Sequence, residues 1–140
     1  MSKVIFRKVI KSDLDIVFEI LNQLKELNIE SIDKESSWKS FNDNKSTKSI
    51  VGVLDNKIVA YGSIVIENKI RGEVAGHIED IVVDKNYRGR FIGDRLITEL
   101  INIGKKNKCY RITLFCKEHL ENFYSRKGFK KSSINMKKYL

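Results

Sequence analysis

Residues 76–96 read GHIEDIVVDKNYRGRFIGDRL. An apolar strand carries two adjacent carboxylates, Glu79 and Asp80, then passes through an Arg- and Gly-rich turn into an amphipathic helix. A strand feeding a helix that leads to another strand makes a crossover covering one sheet face, which commits the chain to an α/β arrangement. The acid pair is the sharper constraint. Neighbouring strand residues point to opposite faces, so Ile78, Asp80 and Val82 share one side and His77, Glu79 and Ile81 the other. One carboxylate must then face a buried side unless a β-bulge re-aims it. Burying an acid without a partner is costly. Two readings stay open: a hydrogen-bonded or ion-paired structural acid, and a pocket carboxylate that binds or deprotonates a cationic substrate.

The rest of the chain supplies the elements around this stretch. KVIFRKV (3–9) alternates as a strand, Ser12 offers a helix N-cap, and Asp13 and Asp15 suit the first turn of a helix running to about Leu27. Trp38 and Phe41 suggest a short second helix in an otherwise polar stretch. KSIVGVL and KIVAYGSIVIE flank Asp55-Asn56, a hairpin turn. After the helix that begins near Gly93 come a strand, CYRITLFC, a short helix closed by Gly128, and one or two final strands in FKKSSINMKKYL. The order β-α-(α)-β-β-β-α-β-α-β predicts a mixed sheet flanked by helices, of α/β class, within a single domain spanning 1–140.

Composition narrows the setting. No apolar run approaches the roughly 18–20 residues of a membrane span, and the N-terminus lacks a signal-peptide layout, so a cytoplasmic protein without membrane association is expected. The net charge of +9 points to an anionic partner. Only the C-terminal stretch SRKGFKKSSINMKKYL is basic with no acid. Phe6, Phe18, Phe115, Phe123 and Phe129 read as core, so the exposed aromatics interleaved with Lys and Arg that a nucleic-acid surface needs are lacking, and no nucleic-acid partner is expected. Cys109 and Cys116 read as buried reduced thiols, and neither they nor the two histidines form a metal-ligand pattern.

Two further features carry chemistry. Backbone N–H groups in a tight glycine-containing turn before a helix form an anion cradle. Gly89 and Gly93 allow close backbone approach there, and Arg88 and Arg90 add charge; a plain strand–helix connection is the other reading. Tyr124, in ENFYSRKGF, is either a core aromatic or a general acid whose reference pKa near 10 suits protonation of a leaving thiolate.

The strand–VDKNYRGRFIG–helix block, a second strand and FYSRKGF resemble the GNAT N-acetyltransferase superfamily. More narrowly, GHIEDIVV, NKCYRITL and NFYSRKGF, with VIENKI upstream, resemble the glucosamine 6-phosphate N-acetyltransferases of eukaryotic type. That resemblance implies acetyl-CoA as acetyl donor, no metal, and a homodimer whose C-terminal strands contribute to the neighbour's site. It implies that Ile81, Val82 and Val83 pair with the pantetheine arm, while Arg88, Gly89, Arg90, Phe91, Ile92 and Gly93 hold the pyrophosphate. Glu79 and Asp80 would line the sugar site, with Lys69, Lys137 and Lys138 as further substrate-binding residues, and Tyr124 would protonate the CoA thiolate while also touching the cofactor. The amine would attack the thioester directly in a ternary complex, giving N-acetylglucosamine 6-phosphate for UDP-N-acetylglucosamine synthesis.

The sequence departs from that pattern in places. Phe91 stands where the superfamily turn usually has glycine, Phe115 where an acid precedes the cysteine, Leu120 where an asparagine helps hold CoA, and Tyr139 where a terminal arginine is expected. Glu118, His119 or Glu121 is the expected replacement for the acid. Two alternatives remain at this point: an acetyltransferase for another amine (a polyamine, a peptide N-terminus or a lysine), and a CoA-binding protein without catalysis.

Overall fold

The structure, a computed structural model, describes residues 2–140. Its sheet has the strand order β1-β2-β3-β4-β5. β1 (Ile5–Lys8), β2 (Thr47–Leu54), β3 (Lys57–Asn68) and β4 (Val74–Val83) pair antiparallel in succession, and β5 (Arg111–Leu114) joins β4 in parallel. The helices are α1 (Leu14–Leu24), α2 (Lys34–Asp43), α3 (Ile92–Lys106) and the short α4 (Glu121–Ser125). This is the mixed α/β sheet expected from the order of elements. Asp55 and Asn56 both adopt left-handed φ values, 48° and 63°, as a two-residue hairpin turn between β2 and β3 requires.

Two layers cover the sheet. On one face α3 buries Ile92, Leu96, Ile97 and Leu100 against Val59, Ile64 and Ile78. On the other, Val17 and Ile20 of α1 meet Val51, Tyr61 and Val82, with Trp38 and Phe41 of α2 closing over them. That second face holds a buried polar ring. Tyr61 Oη donates to Ser49 Oγ at 3.0 Å, Ser63 Oγ donates to Tyr61 Oη at 3.0 Å, and the two serine hydroxyls lie 2.6 Å apart. Each hydroxyl therefore has a partner inside the ring, which makes its burial tolerable.

Several local expectations are corrected. Ser12 does not cap α1: it lies in a single 3-10 turn, Lys11–Asp13, and Asp13 precedes the helix. The Asp13 carboxylate turns back instead. It accepts from both Arg7 guanidinium nitrogens, at 2.7 and 2.9 Å, and from the Ile10 N–H at 2.9 Å. This grip, the Arg7 hydrogen bond above all, holds the Asp13 carboxyl below its ordinary pKa although the residue is buried. α1 stops at Leu24, short of Leu27, where the Asn22 side chain captures the Leu27 N–H at 2.7 Å and draws the chain out of the helix. The final strands do not form: residues 129–140 carry no helix or strand. A strand needs a neighbour to pair with, and a groove of about 1390 Å³ lies between β5, α4 and the tail, lined by Ile112, Leu114, Phe129 and Ile134 among others. Among the described residues no helix is long and apolar enough to cross a membrane.

Two stability measurements test this packing. Leu100→Ala empties a fully buried site beneath β3 and is expected to cost about 2–5 kcal/mol in denaturant titration. Asp13→Asn is expected to cost about 1–3 kcal/mol near neutrality. Because the folded carboxyl sits below an unfolded value of about 3.9, its contribution is fully present above that pH and disappears as pH falls through the folded value. Wild type and Asp13→Asn should therefore converge in stability below about pH 4.

Candidate active site

The site begins where two parallel strands separate. β4 and β5 pair from Ala75 with Arg111 to Ile78 with Leu114, after which β5 ends and β4 continues to Val83 without a β5 partner. On its other side β4 stays joined to β3, with one irregularity. Ser63 pairs with Glu79 and Tyr61 with Val82, so Asp80 and Ile81 both stand opposite Gly62. That is a β-bulge, and Asp80 takes the left-handed φ of 55° that Asp tolerates better than most residues. Gly62 is needed here: a Cβ on it would come within 2.8 Å of Ile81 Cδ1 and 3.0 Å of Leu100 Cδ1.

The bulge changes which residues share a face. Ile81 and Val83 join Ile78 in the core under α3, and Val82 turns to the α1 side, so the strict alternation expected over 77–82 is broken at Asp80. Neither acid is buried. Glu79 and Asp80 are both exposed, the Glu79 side chain at 54%. Both carboxylates are accessible, and Glu79 also meets His77 Nε2 at 3.3 Å, so its geometry is compatible with both readings of the pair.

Beyond Val83 the chain makes the turn that leads into α3. The Asp84 carboxylate accepts from Asn86 N–H at 3.0 Å, the Lys85 N–H donates to Gln23 Oε1 of α1 at 2.9 Å, and Arg88 Nε donates back to the Val83 carbonyl at 3.3 Å. Gly89 (φ 81°) and Phe91 (φ 60°) are both left-handed. Phe91 pays for this conformation without any packing return, since it is 81% exposed. The Arg90 guanidinium lies 5.3 Å from the Tyr87 ring centre, which leaves the loop's outer rim basic. The backbone N–H groups of Ile92 and Gly93 open α3, a helix of 15 residues whose dipole favours an anion at this end. Gly93 sits in the mouth itself, its would-be Cβ 3.6 Å from Val83 Cγ2 and 3.7 Å from Phe123 Cζ.

Tyr124 lies on α4, beside β5. It is 7% exposed and held edge-on by Phe123 and Phe129, with ring centres 5.0 and 6.1 Å away. The core-aromatic reading holds, and the residue also lines the groove beside β5. Burial raises the phenol's pKa, and the neighbouring Cys116 adds to the effect. The phenol accordingly keeps its proton across the neutral range. Cys116 itself is exposed, and Phe115 is 63% exposed, so the expectation of a buried thiol and a core aromatic fails at these two positions. Both lie past the end of β5, where Phe115 packs against His77 yet stays mostly exposed. Cys109 is half-buried, and desolvation raises its thiol.

Other expected residues lie elsewhere in the chain. Lys69 sits in the β3–β4 turn and pairs with Glu67 at 2.9 Å. Five residues of β4, roughly 17 Å at strand rise, separate Val74 beside that turn from Glu79. Arg71, Tyr110 and Arg111 share this far end, Arg71 donating to the Tyr110 hydroxyl at 3.2 Å and Arg111 lying 5.2 Å from the Tyr110 ring centre. Sequence reading missed that basic group, because no local spacing links residues 69–71 to 110–111. Lys137 and Lys138 are exposed on the tail, Lys137 5.7 Å from the Tyr139 ring centre. Glu118 and Glu121 line the groove, and Glu121 reaches Lys131 at 3.4 Å. Lys127, also missed, ties the end of α4 to α3 through Asp94 and Thr98, at 2.8 Å each.

This frame of splayed parallel strands, a bulged β4 and a glycine turn before a helix matches a known family. Residues 14–129 fit the model of the acetyltransferase (GNAT) family. The chain belongs to that family. This GNAT chain is 38% identical to glucosamine 6-phosphate N-acetyltransferase 1 of Dictyostelium discoideum, over 87% of its own length and 81% of that protein. It is 34% identical to the glucosamine 6-phosphate N-acetyltransferase of Candida albicans, over 94% and 92% of the two chains. The crystal structure of glucosamine-6-phosphate N-acetyltransferase from Arabidopsis thaliana superposes with a TM-score of 0.87 at 32% identity, covering 98% of each chain. That of a Trypanosoma brucei acetyltransferase gives 0.89 at 28% identity, covering 99% and 100%. GNAT acetyltransferases use acetyl-CoA as substrate. The residues here fit such a molecule, because the open β4 edge accepts an extended arm and the turn before α3 offers N–H groups and positive charge to a pyrophosphate.

Tyr124→Phe keeps the ring packing and removes only the hydroxyl. It is expected to lower kcat by about 10²–10⁴-fold with little change in acetyl-CoA binding, measured by thiol release and calorimetry. Since the phenol is held above its ordinary value near 10, wild-type kcat should show no alkaline decline from this group below that pH.

Proposed function

We propose that this GNAT chain transfers the acetyl group of acetyl-CoA to the amine of glucosamine 6-phosphate, within one domain, by direct attack in a ternary complex. The observation that carries the proposal is the bulge at Asp80, which leaves two exposed carboxylates just beyond the last β4–β5 pair, while Tyr124, which keeps its proton across the neutral range, lines the groove beside β5. Relatives named for this reaction, aligned over most of both chains, support the choice of sugar. When bound, acetyl-CoA supplies an activated acyl thioester. The acid pair receives the sugar's ammonium group and takes one proton from it. The freed lone pair forms the N–C bond to the carbonyl carbon while the C–S bond breaks, and Tyr124 gives its Oη proton to the departing sulfur. The nitrogen's second proton passes through solvent to the tyrosinate and restores the phenol, and the carboxylic acid releases its proton to solvent, so one net proton is released.

The sugar's phosphate needs a basic partner, and the turn around Arg88 and Arg90 is assigned to the pyrophosphate. Two other basic groups remain: the tail with Lys137 and Lys138, and the far end of β4 with Lys69, Arg71 and Arg111. Since Lys69 stands far from Glu79 along its own β4, the reading places it at the site of a second copy. A homodimer is supported by the open groove beside β5 and by apolar tail residues left exposed, Ile134 at 91% and Met136 at 88%. The tail of one copy would pair beside β5 of the other. The absence of a candidate membrane-spanning helix among the described residues and two unpaired thiols fit the cytoplasm.

The test compares thiol release from acetyl-CoA with glucosamine 6-phosphate, glucosamine, spermidine and a short peptide. Turnover confined to the phosphorylated sugar is expected; turnover on spermidine or peptide instead would overturn the assignment. The double variant Lys137→Ala/Lys138→Ala is expected to raise KM for the sugar phosphate about 10-fold, the equivalent of 1.4 kcal/mol, and to leave that for acetyl-CoA unchanged.

A further inference from the structure

His77 belongs to no step so far, yet both of its ring nitrogens are engaged at the mouth of the site. Nδ1 lies 2.7 Å from Thr113 Oγ1 on β5, and Nε2 lies 3.3 Å from Glu79 Oε1 on its own strand. The Phe115 ring packs against the imidazole at 4.9 Å between centres, tilted by 58°. The Thr113 contact spans the rung next to the last before β4 and β5 part, since His77 pairs with Thr113 and Ile78 with Leu114 in the sheet register. The imidazole side chain is 24% exposed and the Glu79 side chain 54% exposed, so the ring is fixed while the carboxylate it touches stays open.

We infer that His77 is the positioning residue for the reaction, holding Glu79 through Nε2–H so that Glu79 Oε2 alone receives the substrate ammonium. The inference rests on the sugar-acetyltransferase reading above. The direction of the bonds follows from donor and acceptor character. Only a protonated Nε2 is attracted to the Glu79 carboxylate at 3.3 Å, so Nε2 is taken as the nitrogen that carries the proton, and in the neutral ring Nδ1 then accepts from the Thr113 hydroxyl. Glu79 is a flexible side chain whose carboxylate, held at one oxygen, loses rotamer freedom before substrate arrives, which favours a reactive geometry. Asp80 has no corresponding support: among the described residues no side chain bonds it, and it sits on the strained bulge residue itself. The structure thus distinguishes the two neighbouring acids, assigning the ammonium proton to Glu79. The proton moves from the ammonium nitrogen to Glu79 Oε2, the N–H bonding pair remains on nitrogen as the nucleophile, and His77 keeps its own proton throughout.

The experiment uses the full chain with acetyl-CoA and glucosamine 6-phosphate. His77→Ala is expected to lower kcat 10- to 100-fold, with KM for acetyl-CoA and the melting temperature unchanged; the range corresponds to one or two tenfold steps in rate. His77→Gln, which restores an N–H donor, should recover part of the loss, as should free imidazole added to His77→Ala. In a double-mutant cycle, His77→Ala should cost nothing further in a Glu79→Gln background and should retain its full effect in an Asp80→Asn background. A His77→Ala enzyme as active as wild type, or one whose loss is equal in all backgrounds, would overturn the inference. A second readout needs no substrate. The imidazole nitrogen NMR signals, assigned with a His119→Gln variant because the chain has only two histidines, should show the Nε2–H tautomer for His77 and respond to Glu79→Gln. An Nδ1–H tautomer overturns the inference whether or not the sugar is the substrate. The expected tautomer in an enzyme inactive on the sugar would leave the His77–Glu79 contact standing and remove the sugar instead.

Discussion

The extra residue in β4 governs this structure. A strand that kept its period of two would carry Asp80 into the core beneath α3, where nothing is placed to receive a charge. Inserting one residue opposite Gly62 returns Ile81 and Val83 to that core and leaves both acids on the open side. The same insertion lies just past the last β4–β5 pair, where β4 runs on without a β5 partner. The strain of a left-handed Asp80, of order 1–3 kcal/mol, is held in place by β3 on one side and the α3 core beneath.

The helix layers place the remaining groups relative to that bulge. α3 begins where the turn ends, so the end of its dipole that favours anions faces the gap, and Lys127 binds α4 to α3 through Asp94 and Thr98. Tyr124 on α4 consequently sits in the core and lines the groove beside β5. On the opposite face α1 reaches the start of the turn through Gln23 and Lys85. Both layers therefore hold the loop that a phosphate would meet.

Much of this was legible in the residues, and the failures are informative. The hydrophobic spacing of Leu96, Ile97 and Leu100 places α3, and Asp55-Asn56 places the hairpin, because both signals are local. The acid pair announced its own exception, since an alternating strand has no comfortable place for adjacent carboxylates. Ser12 misled because its cap chemistry is generic, whereas the Arg7–Asp13 pair depends on β1 lying beside the helix start. The missing strands in 129–140 failed for a different reason: alternation shows that a segment can be a strand, and says nothing of whether an edge is available to it. The contact of His77 with Thr113, 36 residues away, is likewise set by strand pairing rather than by spacing.

The hydroxyl ring of Ser49, Tyr61 and Ser63 has a bearing on all of this. Tyr61 and Ser63 flank Gly62, so the ring grips β3 on one face at the very residue whose missing side chain admits the bulge on the other. Sliding β3 by two residues against β2 would preserve the alternation of apolar and polar faces, yet it would take the buried Ser49 hydroxyl away from both Tyr61 and Ser63. Apolar packing alone tolerates such a slip; this triplet does not. The tripeptide Tyr61-Gly62-Ser63 thus acts as a key that fits one register, and the alignment of the bulged strand is written into its neighbour.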